Sequence, residues 1–494
     1  MEKCRFLALD LGAESGRAVV GTLEGGRLSL EEIHRFQNVG VEVCDTLYWD
    51  VLSLHKNILE GMRRYAQQFG DSLEGVGIDT WGVDFGLLAR DGGLIQNPVH
   101  YRDRRTQHIL GELHSRMSAE EVFRRTGVPV YQISTLCQLL SLRLSKSPAL
   151  ECASTLLMMG DLLGYFLTGR KVCERSNATT AQLYDPRTGR WDEEIFRILD
   201  LPSSIMPEPI NPGTPLGDLR QSVGREVGLK RAPVIAPCTH DTGCAVAAVP
   251  ATGDDWAFLS SGTWSVLGAV TEEVVTSPDA FSAVAFNEMT LERFYLCRNI
   301  MGLWLLQQAR AAWQRGGRDY SYEELVQMAG ASAENGPLLN PDDPSFLAPR
   351  DMLWAIGAYC QKTGQRQPEG PGATTRCILK SLALSYRHGL ERLERILGRK
   401  FSVLHIVGGG SRNSLLCQLA ADATGIPVLA GPVEATVAGN VLVQALATGW
   451  VSSAAEVREV SRRSTDLLEY QPQNTSGWED RYAEYLRLLE LTAA

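Results

Sequence analysis

The sequence lacks the features that would place the protein in a membrane, in an oxidising compartment or on nucleic acid. No apolar run reaches the roughly 18 residues needed to span a bilayer. The start of the chain leaves no room for a signal peptide before the first apolar segment. The 11 cysteines include no CxxC pair, which favours reduced thiols over disulfides or zinc ligands, and the net charge of −10 argues against a nucleic-acid partner. We therefore expect a cytoplasmic protein.

Two common nucleotide-binding motifs are also missing. There is no GxxxxGKS or GxxxxGKT string, so the chain has no P-loop. The first glycine-rich turn leads into a strand rather than into the helix that a dinucleotide-binding fingerprint requires. With 494 residues, of which 44% are hydrophobic and 21% charged, the chain has the composition of a globular protein and the length of two domains. Its mixture of strand and helix patterns predicts an α/β fold.

What the sequence does contain is one local pattern that occurs twice. Residues 6–10 and 18–23 predict two strands around a turn at residues 11–17. A second pair of predicted strands, at residues 257–260 and 265–268, surrounds a turn of small residues. Such hairpins can present backbone N–H groups to a phosphate. The repetition suggests a nucleotide held between two related domains, which we place at residues 1–247 and 248–494.

Outside these hairpins the sequence pattern predicts helices, a strand and loops. Ser53 is predicted to cap a helix over residues 54–69, and Gly398 to end a helix over residues 374–397. A strand at residues 402–407 then leads into three consecutive glycines. Proline- or glycine-rich composition predicts loops at residues 201–216, 334–349 and 361–372.

Asp10 and Arg17 lie on the first of the two turns. A carboxylate at the end of an apolar strand, beside a glycine turn, can hold Mg²⁺ or a water molecule bound to it. The planar guanidinium of Arg17 is well suited to phosphate oxygens. The alternative is an ordinary tight hairpin whose charged side chains are solvated.

Asp241 follows the apolar run at residues 232–236, which predicts a connection from a strand to a helix. At such a place a carboxylate can accept the proton of a substrate hydroxyl, as general-base catalysis requires. The neighbouring His240 and Thr242 can hydrogen-bond a sugar or orient Asp241. The alternative is an aspartate that caps the next helix.

Two further segments are candidates for binding a nucleotide or a sugar. The glycines at residues 408–410 let a flat ring or a phosphate approach the backbone closely, although they equally fit a flexible connection. Residues 79–84 and 100–103 combine planar hydrogen-bonding side chains with aromatic rings, as sugar sites do. The alternative for Trp81 is a place in the core.

At these positions the sequence resembles the FGGY family of carbohydrate kinases. The matching strings occur in the family's order from residue 10 to about residue 440, so the resemblance covers nearly the whole chain. The strings are DLGAESGR at 10–17, GIDTWGVDFGLL at 77–88, NPVHYRDRRT at 97–106, NATTAQL at 177–183, HDT at 240–242, LSSGTWS at 259–265, NIMGLWLLQ at 299–307, HIVGGGSRN at 405–413 and GPVEAT at 431–436. Where the wider family often has Trp-x-Asp-x-Arg, this chain has Tyr101, as does the branch that phosphorylates L-rhamnulose.

The resemblance implies an α/β fold of two actin-like (ribonuclease H-like) domains with a catalytic cleft between them. Residues 1–247 would form the N-terminal FGGY domain, on the sugar and phosphate side, and residues 248–494 the C-terminal FGGY domain, on the nucleotide side. The implied reaction is transfer of the γ-phosphoryl group of ATP, with Mg²⁺, to O1 of L-rhamnulose. It gives L-rhamnulose 1-phosphate and ADP.

The resemblance also implies roles for individual residues. Asp241 would be the catalytic proton acceptor, and Asp10 is assigned to the metal. ATP would contact Ala13, Glu14, Ser15, Gly16, Arg17, Thr263, Gln307 and Gly409. The sugar would contact Gly82, His240, Asp241, Thr242 and Asn299.

Other functions stay open on the sequence alone. One is an FGGY kinase for a different ketose, such as L-fuculose. Another is a non-catalytic sensor of a sugar or nucleotide on the same two domains, which the presence of both Asp10 and Asp241 disfavours. A dinucleotide-dependent oxidoreductase is a more distant alternative. The sequence leaves the oligomeric state open.

Overall fold

The structure is a computed structural model that describes residues 3–473 and 476–492. The chain forms two compact units, each assembled from three segments. The first unit contains the chain up to Pro250, Val270–Leu296 and Ala435–Ser464. The second contains Ala251–Ala269, Cys297–Glu434 and the chain from Thr465 onward. The predicted boundary between residues 247 and 248 stays a prediction.

The chain contains twenty-one strands within the described residues. They are β1 Lys3–Leu11, β2 Ser15–Glu24, β3 Arg27–Gln37, β4 Gly40–Val43, β5 Thr46–Trp49, β6 Gly75–Thr80, β7 Phe85–Leu88, β8 Thr155–Met158, β9 Cys173–Glu174, β10 Tyr184–Asp185, β11 Arg190–Trp191, β12 Pro209–Ile210, β13 Thr214–Asp218, β14 Pro233–Ala236, β15 Trp256–Ser261, β16 Trp264–Thr271, β17 Phe286–Met289, β18 Phe294–Met301, β19 Val403–Val407, β20 Val428–Ala430 and β21 Leu468–Tyr470.

Nineteen α-helices accompany these strands in the same part of the chain. They are α1 Val51–Phe69, α2 Ile109–Arg116, α3 Ala119–Thr126, α4 Thr135–Leu144, α5 Pro148–Cys152, α6 Met159–Thr168, α7 Arg175–Thr180, α8 Glu193–Leu199, α9 Gln221–Val227, α10 Asp241–Ala247, α11 Pro278–Ser282, α12 Trp304–Arg315, α13 Tyr322–Gly330, α14 Met352–Lys362, α15 Gly370–Leu397, α16 Ser414–Thr424, α17 Ala435–Ala447, α18 Ala454–Ser464 and α19 Trp478–Thr492. Among the residues that the structure describes, no helix is both long and apolar enough to cross a membrane.

The first unit is built on a six-stranded sheet with the order β13-β14-β6-β1-β2-β3. β1 pairs antiparallel with β2 and parallel with β6, and β6 pairs parallel with β14. The carboxyl ends of β1, β6 and β14 therefore lie along one edge of the sheet. In sheets with parallel strands, this edge is where ligands bind.

Successive side chains of β1 pack on opposite faces of this sheet. Leu7 and Leu9 belong to a core cluster shared with residues of α1 and α6. Phe6 and Ala8 belong to a second cluster shared with residues of α17. Each fully buried leucine of this kind contributes roughly 1.5–3 kcal/mol. The first unit thus has helices on both faces of its sheet, and the predicted α/β class is confirmed.

The second unit repeats the central part of this arrangement. Its strands run in the order β18-β16-β15-β19-β20-β21. β15 and β16 form an antiparallel hairpin, and β19 pairs parallel with β15. This is the relation that β1, β2 and β6 have in the first unit. The two hairpins that the sequence predicts are confirmed as equivalent parts of two similar sheets.

Two helix boundaries test the sequence patterns directly. α1 begins at Val51 and not after Ser53, because Asp50 is its N-cap and accepts a hydrogen bond from the Ser53 backbone N–H. The predicted Ser53 cap is therefore wrong. At the end of α15, Gly398 adopts the left-handed conformation with φ 64°, as predicted for a C-terminal glycine.

Strand boundaries correct two other expectations. The first turn is shorter than predicted, since β2 already begins at Ser15. The proline-rich segment at 201–216 is not entirely a surface excursion, because β13 joins the sheet beside β14. Pro215 is tolerated there because β13 is the edge strand, where a missing N–H breaks no inner ladder.

Candidate active site

Acidic residues lie where the parallel strands of the first unit end. Asp10 in β1 is the direct neighbour of Asp79 in β6. Thr80, the last residue of β6, donates its backbone N–H to Thr239 O at 2.8 Å, which brings the segment after β14 to the same edge. α10 begins at this edge with Asp241. The carboxylates of Asp10, Asp79 and Asp241 interact electrostatically there. The structure thus brings together the two acidic residues that the sequence singles out.

Burial and mutual repulsion shape the protonation of these carboxylates. Burial, followed by the negative charge of Asp10, raises the pKa of Asp79 well above its usual range, although Asn440 donates a hydrogen bond to Asp79 Oδ2 at 2.6 Å. Burial also raises the pKa of Asp241, while the positive charge of His240 opposes that rise and Asp10 adds to it. The positive charge of His240 therefore favours the ionised form of Asp241.

Asp10 and Arg17 form a tight pair across the β1–β2 hairpin. The two residues are opposite each other in the register, and Arg17 places both Nε and Nη2 2.8 Å from Asp10 Oδ2. Their side chains are only 12% and 19% exposed. The alternative of a solvated hairpin with free charges does not hold.

Hydrogen bonds from Asn38, which follows β3, hold the turn between these strands in place. Its backbone closes with Gly12 N–H donating to Ser15 O at 2.9 Å. Asn38 then donates its side-chain Nδ2 to Gly12 O at 2.9 Å and its backbone N–H to Glu14 O at 3.0 Å. Ala13 and Glu14 lie at the tip, and Glu14 is exposed. The predicted ATP contacts of this unit thus sit on a fixed turn.

Next to Ser15 in β2, Gly16 is closely covered by an aromatic ring. A β-carbon at Gly16 would come within 2.5 Å of an edge carbon of Phe36. Only glycine lets Phe36 pack over the start of β2.

The surroundings of Asp10 fit a bound cation. No three His, Cys, Asp or Glu side chains in the described ranges form a complete metal site. Mg²⁺ does not require one, since it is usually bound by one or two carboxylates together with phosphate oxygens and water. Asp79 Oδ1, beside Asp10, is buried and accepts no hydrogen bond from a donor group among residues 3–473 and 476–492. A bound cation would offset the repulsion between the Asp10 and Asp79 carboxylates.

A buried glutamate fixes the segment before Asp241. Glu174 accepts hydrogen bonds from Thr239 N at 2.7 Å and from Thr239 Oγ1 at 3.0 Å. Ser176, which also donates to Glu174, accepts the backbone N–H of His240 at 3.1 Å. Neither Glu174 nor Ser176 was a predicted site residue. The loop geometry around Asp241 is therefore set by a distant part of the chain.

His240 lies between two carboxylates. Its Nδ1 is 3.1 Å from Glu288 Oε2, and its Nε2 is 3.5 Å from Asp241 Oδ1. Burial alone would lower the pKa of His240, but Glu288, and to a smaller degree Asp241, raise that pKa to about 9. The imidazole is therefore a cation at neutral pH.

The alternative role of Asp241 as a helix cap does not hold. The N-cap of α10 is His240, and Asp241 is the first residue inside the helix. Thr242 donates its hydroxyl to Asp241 Oδ1 at 3.1 Å. The predicted group His240, Asp241 and Thr242 is thus one cluster.

The predicted sugar segment at residues 79–84 is organised by Asp84. Its carboxylate accepts hydrogen bonds from Trp49 Nε1 at 2.5 Å, Trp81 Nε1 at 3.0 Å and Gln138 Nε2 at 3.0 Å. Burial raises the pKa of Asp84 to about 6, although these donors oppose the rise. Trp81 is buried, in agreement with the alternative that places it in the core. Gly82 is partly exposed, and a β-carbon there would lie 2.9 Å from Thr180 Cγ2.

Thr263 and Gln307 come together in the second unit. The Thr263 hydroxyl donates to Gln307 Oε1 at 3.3 Å. The backbone N–H groups of Gly302 and Trp304 both donate to Thr263 O, at 3.1 and 3.2 Å. The start of α12 is therefore bonded to the β15–β16 turn. Asn299, the predicted sugar contact of this unit, is an exposed residue of β18.

The three glycines lie beside the end of β15. Ser260 in β15 is in register with Val407 in β19, and the glycine turn follows directly. Gly408 has φ 81°, and a β-carbon at Gly410 would lie 2.6 Å from Ser261 Cβ. At Gly409, by contrast, a β-carbon would meet nothing within 4 Å. The turn is packed on one side and open at Gly409, so it is not a flexible connection.

Several residues that support the site were missed by sequence reasoning. Asn440 and Glu288 contact the site from segments 361 residues after Asp79 and 48 residues after His240 respectively. Neither lies in a local pattern that carries a function. Only the tertiary fold brings them to these positions.

Comparisons with known proteins agree with this arrangement. The model of the N-terminal domain of the FGGY family of carbohydrate kinases matches residues 5–248, and the model of the C-terminal domain matches residues 257–448. The chain is 43% identical over 484 residues to a protein of Bacteroides thetaiotaomicron named rhamnulokinase, covering 98% of this chain and 99% of that protein.

A second relative and a solved structure extend the comparison. A protein of Enterococcus faecalis, also named rhamnulokinase, is 37% identical over 493 residues, or 99% of this chain and 98% of its own. The crystal structure of xylulose kinase from Rhodospirillum rubrum has a TM-score of 0.81 at 18% identity, covering 99% and 98% of the two chains, and so shares the fold. The protein therefore has the two-domain, actin-like fold of these enzymes, and it belongs to the FGGY family of carbohydrate kinases.

Proposed function

We propose that the protein transfers the γ-phosphoryl group of ATP to O1 of L-rhamnulose, giving L-rhamnulose 1-phosphate and ADP. The observation that carries the proposal is the near-full-length similarity to proteins named rhamnulokinase, at 43% and 37% identity. In the reaction the bond between O1 and the γ-phosphorus forms as the bond to the leaving ADP breaks, and the O1 hydroxyl loses its proton.

Asp241 accepts that proton. The His240 cation, whose Nε2 lies 3.5 Å away, favours the ionised carboxylate that this role requires. A positioned general base of this kind contributes roughly 10²–10⁴-fold to the rate. His240 and Thr242 hydrogen-bond the sugar beside Asp241, and Gly82 and Asn299 contribute further contacts.

The nucleotide is bound by the two hairpins and the glycine turn. The backbone of residues 13–17 and the guanidinium of Arg17 bind phosphate oxygens, since N–H groups and Arg forks match that geometry. Thr263, Gln307 and Gly409 contact the rest of the nucleotide. Residues 1–247 thus form the domain of the sugar and the phosphates, and residues 248–494 the nucleotide domain.

Asp10 is the residue that would hold Mg²⁺ in this account. The metal would neutralise charge on the phosphates when bound. Arg17 keeps the Asp10 carboxylate in place through the pair described above.

A panel of ketoses tests the substrate. ADP release is followed in a coupled assay with L-rhamnulose, L-fuculose and D-xylulose at equal concentrations. We expect L-rhamnulose to have the highest kcat/KM. If another ketose is phosphorylated more efficiently, the assignment to L-rhamnulose is wrong, while the kinase class stands.

Replacement of the base tests the mechanism. Asp241→Asn keeps the size of the side chain but cannot accept a proton, so we expect kcat to fall about 10²–10⁴-fold. Binding of ATP, measured by calorimetry, should stay close to that of the wild type. Asp218→Asn, at an exposed position of β13, is the matched control. Near-normal turnover by Asp241→Asn would remove Asp241 from the role of proton acceptor.

A further inference from the structure

Glu288 lies on the side of His240 that faces away from Asp241. Its Oε2 is 3.1 Å from His240 Nδ1, while His240 Nε2 is 3.5 Å from Asp241 Oδ1. The three side chains form a row of carboxylate, imidazole and carboxylate. The side chains of His240 and Glu288 are 13% and 9% exposed, so water and salt screen their interaction little.

Two hydrogen bonds fix Glu288 in this place. The buried Tyr295 donates its hydroxyl to Glu288 Oε2. Thr290, two residues after Glu288, donates its hydroxyl to Gly243 O in α10 at 2.8 Å. The segment that carries Glu288 is therefore bonded to the helix that begins at Asp241. The Glu288 side chain cannot turn away from His240 without breaking its bond to Tyr295.

We propose that Glu288 is a positioning residue for phosphoryl transfer: it holds His240 as a cation, and that cation keeps Asp241 ionised and oriented as the proton acceptor. The inference rests on the proposed function, in which Asp241 takes the proton of the sugar hydroxyl. Glu288 acts through His240, and its role is independent of which ketose is the substrate.

The charges around His240 support this role. The acidic groups that act on it are Glu288, Asp241 and Glu174, in that order. Without Glu288, the pKa of His240 would fall, because burial favours the uncharged imidazole and only Asp241 and Glu174 would oppose it. The neutral ring would then offer no positive charge to Asp241.

The charges around Asp241 give the sign of the effect. His240 is the cation that lowers the pKa of Asp241, whereas burial and Asp10 raise that pKa. Asp79 and Asp241 also act on each other as like charges. If His240 becomes neutral, only the hydrogen bonds from Thr242 still oppose the rise, and Asp241 holds its proton up to a higher pH.

Titration of His240 in Glu288→Gln tests the first step without an activity measurement. The chain has 8 histidines, and the signal of His240 in the NMR spectrum of isotope-labelled protein is assigned by its loss in His240→Gln. We expect the pKa of His240 to fall from about 9 in the wild type by at least about 1 unit in Glu288→Gln, because an opposite charge next to the ring is lost. An unchanged pKa in the folded variant would overturn the proposal.

The pH profile of kcat/KM tests the second step. In Glu288→Gln we expect the acid limb of the profile to move up by about 1 pH unit, the smallest shift typical of losing a neighbouring opposite charge. A merely structural role would lower the rate equally at every pH. Glu292→Gln, an exposed glutamate of the same segment, is the matched control and should leave the profile unchanged. A folded Glu288→Gln variant with an unchanged acid limb contradicts the proposal.

Tyr295→Phe provides a milder second variant in case Glu288→Gln does not fold. It removes one hydrogen bond to Glu288 and keeps the negative charge. We expect a smaller fall in the pKa of His240 and a smaller shift of the acid limb in the same direction, and a shift in the other direction would count against the proposal. If the wild type phosphorylates no ketose, the proposed function fails, whereas the titration of His240 still decides whether Glu288 holds the charge.

Discussion

Gly409 and Gly410 are adjacent residues for which the structure predicts opposite consequences of one added methyl group. In Gly410→Ala the β-carbon would lie 2.6 Å from Ser261 Cβ and closer still to Ser261 Oγ. Ser261 is 1% exposed, so the clash falls on a buried side chain. Overpacking of this kind typically costs about 1–3 kcal/mol, so we expect the free energy of unfolding to fall by that amount.

Gly409→Ala should leave the folded protein intact. Its β-carbon would meet nothing within 4 Å, and its backbone is not in the left-handed region. Alanine also restricts the unfolded chain, so the free energy of unfolding should stay the same or rise by about 0.4–1 kcal/mol. If ATP packs against the open side of this turn, however, the methyl group occupies space that the nucleotide needs. We expect the Kd for ATP to rise at least tenfold, or about 1.4 kcal/mol.

Two measurements on each variant separate these effects. Urea unfolding followed by circular dichroism gives the free energy of unfolding, and calorimetry gives the Kd for ATP. The Kd for L-rhamnulose in Gly409→Ala is the internal control and should not change. If Gly409→Ala binds ATP like the wild type, the nucleotide does not contact Gly409. If Gly410→Ala is as stable as the wild type, the turn does not pack on Ser261 as closely as described.

Two other substitutions test the hydrogen bond from Asn38 to the β1–β2 turn and the charge of the buried His405. Asn38→Ala removes the hydrogen bond to Gly12 O. We expect the free energy of unfolding to fall by about 1 kcal/mol and the KM for ATP to rise several-fold. An unchanged KM would show that the turn does not depend on Asn38. Burial lowers the pKa of His405 to about 4, so between pH 6.5 and 4 the unfolded chain binds a proton that the folded chain does not. The wild type should therefore lose about 2 kcal/mol of stability between pH 7 and 4.5 through this group, and His405→Leu should lack that loss in urea unfolding at the two pH values. Equal pH dependence of both proteins would contradict a neutral His405.

Local patterns were sufficient for the parts of the site that lie on one hairpin or one connection. Asp10 and Arg17 are seven residues apart on two paired strands, so the hairpin alone places them opposite each other. Asp241 follows a strand and begins a helix, which the small residues after it already indicate. Only the exact geometry of the loop before Asp241 needs distant residues, because Glu174 and Ser176 hold Thr239 and His240 there.

The residues that sequence patterns missed act over long separations. Asn440, in α17, reaches Asp79 only because that helix packs on the face of the sheet formed by Phe6 and Ala8. Glu288 reaches His240 through a strand that has no functional pattern of its own. Charge and burial at these positions depend on the complete fold.

Competition between similar local signals explains the misplaced boundary of α1. Asp50 and Ser53 are both good N-cap residues. Val51 is fully buried, and its place in the core favours the earlier start. The packing of one valine therefore decides between two caps that the sequence cannot rank.

The position of the transferred phosphoryl group tests the central claim most directly. The purified protein is incubated with ATP, Mg²⁺ and L-rhamnulose, and the product is examined by ³¹P NMR with proton coupling. We predict one new phosphomonoester signal, split into a triplet because C1 of the sugar carries two protons. A doublet, which places the phosphate on a carbon with one proton, or the formation of inorganic phosphate and ADP without a phosphomonoester would contradict the account.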